Sequence, residues 1–91
     1  MNKSELVDSV AELSGLTKKD SELAVNAVLE SIATSLENDE KVVLVGFGTF
    51  EVRERKAREG RNPSTQEVIT IPASKNAAFK AGKKLKERVN K

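Results

Sequence analysis

Three observations predict an α+β fold for this 91-residue chain. Apolar residues recur at helical spacing through the first 37 positions. Residues 41–55 and 67–71 are strand-like, rich in Val, Ile and Phe with alternating polarity. Leu85 and Val89 form an i, i+4 apolar pair near the end. The expected architecture is two N-terminal helices, a three-stranded antiparallel sheet carrying an extended β-ribbon arm, and a short C-terminal helix.

The elements follow in order. Asn2 and Glu5 have the spacing of a capping box, and Leu6, Val10 and Leu13 then mark one helical face. Gly15 supplies the stop. Thr17 is the predicted N-cap of the second helix, with Asp20 in its first turn. Val25, Val28, Leu29, Ile32 and Leu36 form its core-facing stripe, while Leu23 falls off that stripe toward the first helix or another chain. Asn38-Asp39-Glu40 turns the chain into a Val-rich strand over 41–45. Gly46-Phe47-Gly48 is a turn, and 49–55 alternates with Phe50 and Val52 on one face. Residues 67–71 form the return strand, closed by Pro72. Residues 73–82 read as a linker, and Lys83–Asn90 as the last helix. Phe47, Phe50 and Phe79 are expected to pack where the sheet meets the helices.

The segment between the ribbon strands has an unusual composition. From Lys56 to Glu67 only Ala57 and Pro63 have hydrocarbon character, so this segment has no apolar face to bury against its own domain. Arg53, Arg55, Lys56, Arg58 and Arg61 face only Glu54, Glu59 and Glu67 in charge. Arg53 and Arg55 share one strand parity, and Lys56 and Arg58 share the other, so an alternating ribbon is basic on both faces. That arrangement suits a groove walled by phosphates. Arg55 to Asn62 spans about 23 Å when extended, comparable with a duplex width. Asn62-Pro63 stands at the tip. An ordinary β-turn and a rigid wedge for a base step both accept that dipeptide. Lys75, Lys80, Lys83 and Lys86 add a second basic group, with the Gly82-Lys83 helix start a further phosphate donor. Lys84 and Arg88 read as a solvated helix face. Lys3 and Lys18 stand near the two first helix starts.

Composition narrows the function classes. The chain is long enough for one small domain, whose modest core would benefit from a partner chain. Cys and His are both absent, which removes disulfides, thiolate metal sites and the commonest general base. No nucleophile–base pair or phosphate-binding glycine loop is present, so neither enzyme, cofactor, metal nor small-molecule substrate is expected. The net charge of +2 hides an asymmetry. Residues 1–40 hold three Lys and nine acids, whereas 41–91 hold thirteen Lys or Arg and five Glu. An acidic body and a basic binding half point to a nucleic-acid partner. No signal peptide is visible and the longest apolar run, Val42–Val45, is too short for a membrane span, so a cytoplasmic protein is expected.

Gly46-Phe47-Gly48-Thr49-Phe50, Arg53-Glu54-Arg55, Gly60-Arg61-Asn62-Pro63, Ile71-Pro72-Ala73 and Phe79-Lys80-Ala81-Gly82-Lys83 resemble the bacterial histone-like HU family, which includes the integration host factor subunits. The resemblance covers essentially the whole chain. It implies an intertwined dimer, with itself or a related subunit, whose two arms enter the DNA minor groove. It further implies that Pro63 inserts at a base step, that Arg53, Arg55, Arg58 and Arg61 line the groove, and that the lysines hold flanking phosphates. In the family pattern Gly often stands where this chain has Gln66, and Pro where it has Ala81. The expectation is a nucleoid-associated homodimer that binds duplex DNA largely without sequence preference, bends and compacts it, and favours bent, nicked or junction DNA. A sequence-specific bending factor of the integration-host type is the alternative. An RNA-binding module and a protein-interaction domain are more distant ones.

Overall fold

The computed structural model describes residues 1–91. The chain divides into two compact units, Met1–Ser35 and Leu36–Lys91. The first unit holds helix α1 (Lys3–Ser14) and most of helix α2 (Lys18–Glu37). The expected caps form. The Glu5 N–H donates to Asn2 Oδ1 at 2.9 Å, and the Asp20 N–H donates to Thr17 Oγ1 at 3.1 Å. Gly15 ends α1 at φ 76°, and its N–H donates to the Ala11 carbonyl. A side chain there would be strained in the left-handed region, which glycine enters freely.

The core of this unit is small. Val7, Ser21 and Val25 are buried. The α2 stripe was expected to face a core, yet Val28 is 56% and Leu29 47% exposed. With Leu6, Val10, Ala24 and Val25 they line an apolar cavity of about 250 Å³. Leu23 is exposed as well.

The second unit holds two antiparallel sheets. Strands β1 (Val42–Leu44), β2 (Gly48–Arg55) and β5 (Ser74–Ala81) form one, in the order β1-β2-β5. Strands β3 (Arg58–Arg61) and β4 (Val68–Ile71) form a separate two-stranded ribbon. The three-stranded antiparallel sheet with a ribbon arm is as expected, but the membership of the sheet is not. Its third strand is β5, which the sequence presents as a linker, and the return strand pairs only within the arm. Ser, Lys, Asn and Ala dominate β5, and none is a strong strand former. The pairing decides its conformation: β5 matches β2 from Gly48↔Ala81 to Arg55↔Ser74.

Register runs unbroken from sheet to ribbon. After Arg55↔Ser74 the next pair is Arg58↔Ile71, so Lys56-Ala57 faces Pro72-Ala73 across the gap without a bulge. Pro72 has no N–H to give to a ladder, which accounts for the interruption.

Phe79 sits between the other two phenylalanines, with ring centroids 4.8 Å from Phe50 and 5.4 Å from Phe47. A Cβ on Gly48 would lie 2.5 Å from Phe79 Cζ and 2.6 Å from the Lys80 carbonyl oxygen, so only glycine fits beneath that ring. Helix α3 (Lys83–Val89) follows, fastened by the Gly82 N–H donating to the Phe47 carbonyl at 2.8 Å. No helix is long and apolar enough to cross a membrane.

Candidate nucleic-acid interface

Residues directly opposite in an antiparallel pair project to one face, and neighbours along a strand alternate. The register therefore sorts the candidate side chains. Arg53, Arg55 and Lys80 share one face of the three-stranded sheet, together with Thr49, Glu51, Ser74, Asn76 and Ala78. The other face carries Phe50, Val52, Glu54, Lys75, Ala77 and Phe79. Lys75 thus lies on the phenylalanine side, opposite Lys80, with which the sequence groups it. Ser74 and Asn76 stand opposite Arg55 and Arg53 as polar companions. The sequence presents their strand as a linker, and only the pairing reveals them.

The ribbon divides in the same way. Arg58, Gly60, Ile69 and Ile71 lie on one face, and Glu59, Arg61, Val68 and Thr70 on the other. The arginines at 58 and 61 fall on opposite faces, so the ribbon is basic on both, as parity required. The ribbon also has an apolar strip, which the 56–67 composition alone did not disclose. A Cβ on Gly60 would meet Ile71 Cδ1 at 3.2 Å and Ile69 Cγ1 at 3.9 Å, so the isoleucines lie over the glycine.

Arg55, Lys56, Arg58 and Arg61 are all exposed. Arg53 is exposed too, but its guanidinium donates to Glu51 Oε1 at 3.2 and 3.3 Å. Such a solvated pair is weak and opens readily to a phosphate. Lys75 has more partners, though they too are solvated. Its Nζ donates to both carboxylate oxygens of Asp39, at 3.1 and 3.0 Å, and lies 3.8 Å from Glu54 Oε1. The hydrogen bond and charge of Asp39, and secondarily Glu54, raise its pKa above the ordinary 10.5. The ammonium is therefore charged at neutral pH, and on the alkaline side the ion pair is lost as pH rises through that raised value.

Tip geometry is wider than a four-residue β-turn. The Gln66 N–H donates to the Asn62 carbonyl at 2.7 Å, and the Asn62 N–H to the Glu67 carbonyl at 2.9 Å. Asn62 Oδ1 accepts from the Ser64 N–H at 2.9 Å, which holds Pro63 between two fixed residues. Gln66 adopts φ 62°, the left-handed region, where glycine is the residue of lowest cost.

The remaining lysines are spread out. Lys83 and Lys86 are exposed on α3. The Gly82 N–H, expected as a phosphate donor, is engaged with Phe47 instead. Lys3 lies in the helical unit, where it lines an open cavity with Asp8, Lys18 and Lys19. There Lys18 Nζ pairs with Asp8 Oδ1 at 3.5 Å.

The family described as bacterial DNA-binding protein matches residues 1–90. The chain belongs to that family. DNA-binding protein HU of Clostridium pasteurianum is 65% identical over 91 residues, 100% of both chains. The HU of Geobacillus stearothermophilus is 61% identical over 89 residues, covering 98% of this chain and 99% of that one. Among solved structures, the Anabaena HU–DNA cocrystal structure superposes with a TM-score of 0.86 at 55% identity, covering 98% of this chain and 97% of that one. These similarities place the chain within the HU branch, with its α+β fold. HU-family proteins are non-enzymatic architectural proteins, so this HU-type chain is a DNA-binding architectural protein and not an enzyme.

Proposed function

We propose that the chain works as a homodimeric, histone-like nucleoid protein that bends and compacts duplex DNA with little sequence preference. The observation that carries this reading is the ribbon itself. Exposed Arg55, Lys56, Arg58 and Arg61 lead along a two-stranded ladder to Pro63, held in a turn by Asn62. The cations meet phosphates and groove walls, while Pro63 acts as the wedge at a base step. Kinking by an inserted apolar side chain is the established mode of the minor-groove architectural class, of which HU and IHF are standard members. The Anabaena relative was crystallised with DNA, which supports the same partner here.

The remaining assignments follow from chemistry. Arg53, Lys80, Lys83, Lys86 and Lys3 hold flanking phosphates, with Ser74 and Asn76 as hydrogen-bonding companions. The minor-groove code is degenerate and phosphate contacts carry no base information, so specificity is low. DNA that is already bent, nicked or branched needs less deformation energy and binds more tightly. A second copy covers the apolar groove of the helical unit, making residues 1–40 the dimerising part and 41–91 the DNA-binding part.

Titration against intact, nicked and four-way-junction DNA at two salt concentrations tests the reading. With ~6–10 phosphates contacted, affinity should fall on the order of 10³–10⁵ between 50 and 200 mM salt, with the intact duplex weakest. A flat salt response, or a sharp motif selected from random sequences, would overturn it.

A further inference from the structure

Lys75 stands apart from the other candidate cations in what it touches. Its ammonium joins Asp39, 36 residues earlier, to the β2–β5 hairpin, and Glu54 is its cross-strand partner. Asp39 is held at φ 57° in the turn before β1, a conformation that aspartate tolerates better than most residues. One rung beyond Glu54↔Lys75 the ladder ends at Arg55↔Ser74, and it resumes only at Arg58↔Ile71. Lys56, Ala57, Ala73 and Ser74 border an open cleft at that break.

We propose that Lys75 is a positioning residue that locks the root of the arm to Asp39, and that it makes no DNA contact. The inference rests on the DNA-bending reading and deepens it. Two observations support it. The register puts Lys75 on the sheet face opposite Arg53, Arg55 and Lys80. The Lys75 ammonium is also already engaged by two carboxylates, Asp39 and Glu54, on that face. Its position supplies the role. A ladder frays from its free end inward, so a tie on the second-last rung limits how far fraying reaches. Pro72 makes the break about which the arm pivots, and Lys75 sets the inner limit of that pivot. A fixed pivot reduces the ordering needed when the arm enters a groove, which is how a residue without a DNA contact strengthens binding.

The test combines amide hydrogen exchange on the free protein with DNA titration across a salt series, for Lys75→Met, Asp39→Asn and Lys75→Arg. Exchange at Arg53–Arg55 and 74–76 should quicken roughly two- to five-fold in Lys75→Met and Asp39→Asn, the scale expected of a solvated ion pair. Exchange at Gly48–Phe50 should not change, and Lys75→Arg should restore the slow rates. Lys75→Met should weaken DNA binding by a similar few-fold factor with the salt slope unaltered. A slope lower by about 0.9 for each copy of the residue, about 1.8 for the dimer, would mean lost phosphate contacts and would overturn the proposal. Unchanged exchange at the outer rungs in Lys75→Met would overturn it equally. Failure of the unmodified chain to bind DNA would refute the functional reading alone, because the exchange data would still judge the lock.

Discussion

Gly48 and Gln66 show how single residues govern local geometry here. Phe79 lies over Gly48 so closely that a methyl group has nowhere to go, and one obstacle is the Lys80 backbone. Gly48→Ala should therefore destabilise the chain by about 1–3 kcal/mol, the usual cost of overpacking, and a thermal melt will read it. A Tm equal to that of the unmodified chain would show that the hairpin shifts without cost. Gln66 presents the reverse case, since a non-glycine residue occupies the left-handed position of the tip. Gln66→Gly should stabilise the closed turn by about 0.5–1 kcal/mol, after the extra freedom of glycine in the unfolded chain is counted. Slower exchange of the amide at position 66, which bonds to the Asn62 carbonyl, is the expected sign. Faster exchange would contradict it.

The arm is the element that most repays manipulation. Pro63 and Arg61 stand close together at its end but act through different chemistry. Pro63→Ala removes an apolar ring and leaves the charges, so it should reduce the bend angle more than the affinity. Arg61→Ala removes one charge from each arm, so it should weaken binding and lower the salt slope by about 0.9 per arm, about 1.8 for the dimer. Bend angle and Kd measured on one fragment will separate the two, and equal losses for Pro63→Ala would remove its wedge role. Element by element, the sequence was informative wherever local chemistry decides. Asn2, Gly15 and Thr17 marked helix ends because caps are local contacts. Strand β5 was not legible, because Ser74–Ala81 carries no alternation and takes its conformation from β2. Without β5 the faces cannot be assigned, and the sequence places Lys75 in one group with Lys80, which lies on the other face.

At the scale of the molecule, one chain leaves much apolar surface uncovered. Val7 and Val25 are the buried hydrophobic core, while Val28, Leu29, Phe47 and Phe79 stay substantially exposed. If a second copy covers this surface, as proposed, folding of the 91-residue chain is coupled to pairing. The Tm should rise with protein concentration, each tenfold step adding about 1.4 kcal/mol of stability per dimer. A Tm constant over a hundredfold dilution would rule out a dimer in that range.

Charge and composition by themselves separated an acidic helical half from a basic half, withheld the side chains of common catalysis, and left an unpackable cationic stretch ending in Asn62-Pro63. Those properties are sums over residues or contacts between near neighbours, so a linear reading captures them. Which cations share a face, which one is tied to Asp39 and where the ladder breaks depend on pairing between residues far apart in the chain. Only the folded register decides these, because a strand's two faces have no identity until a partner strand fixes them.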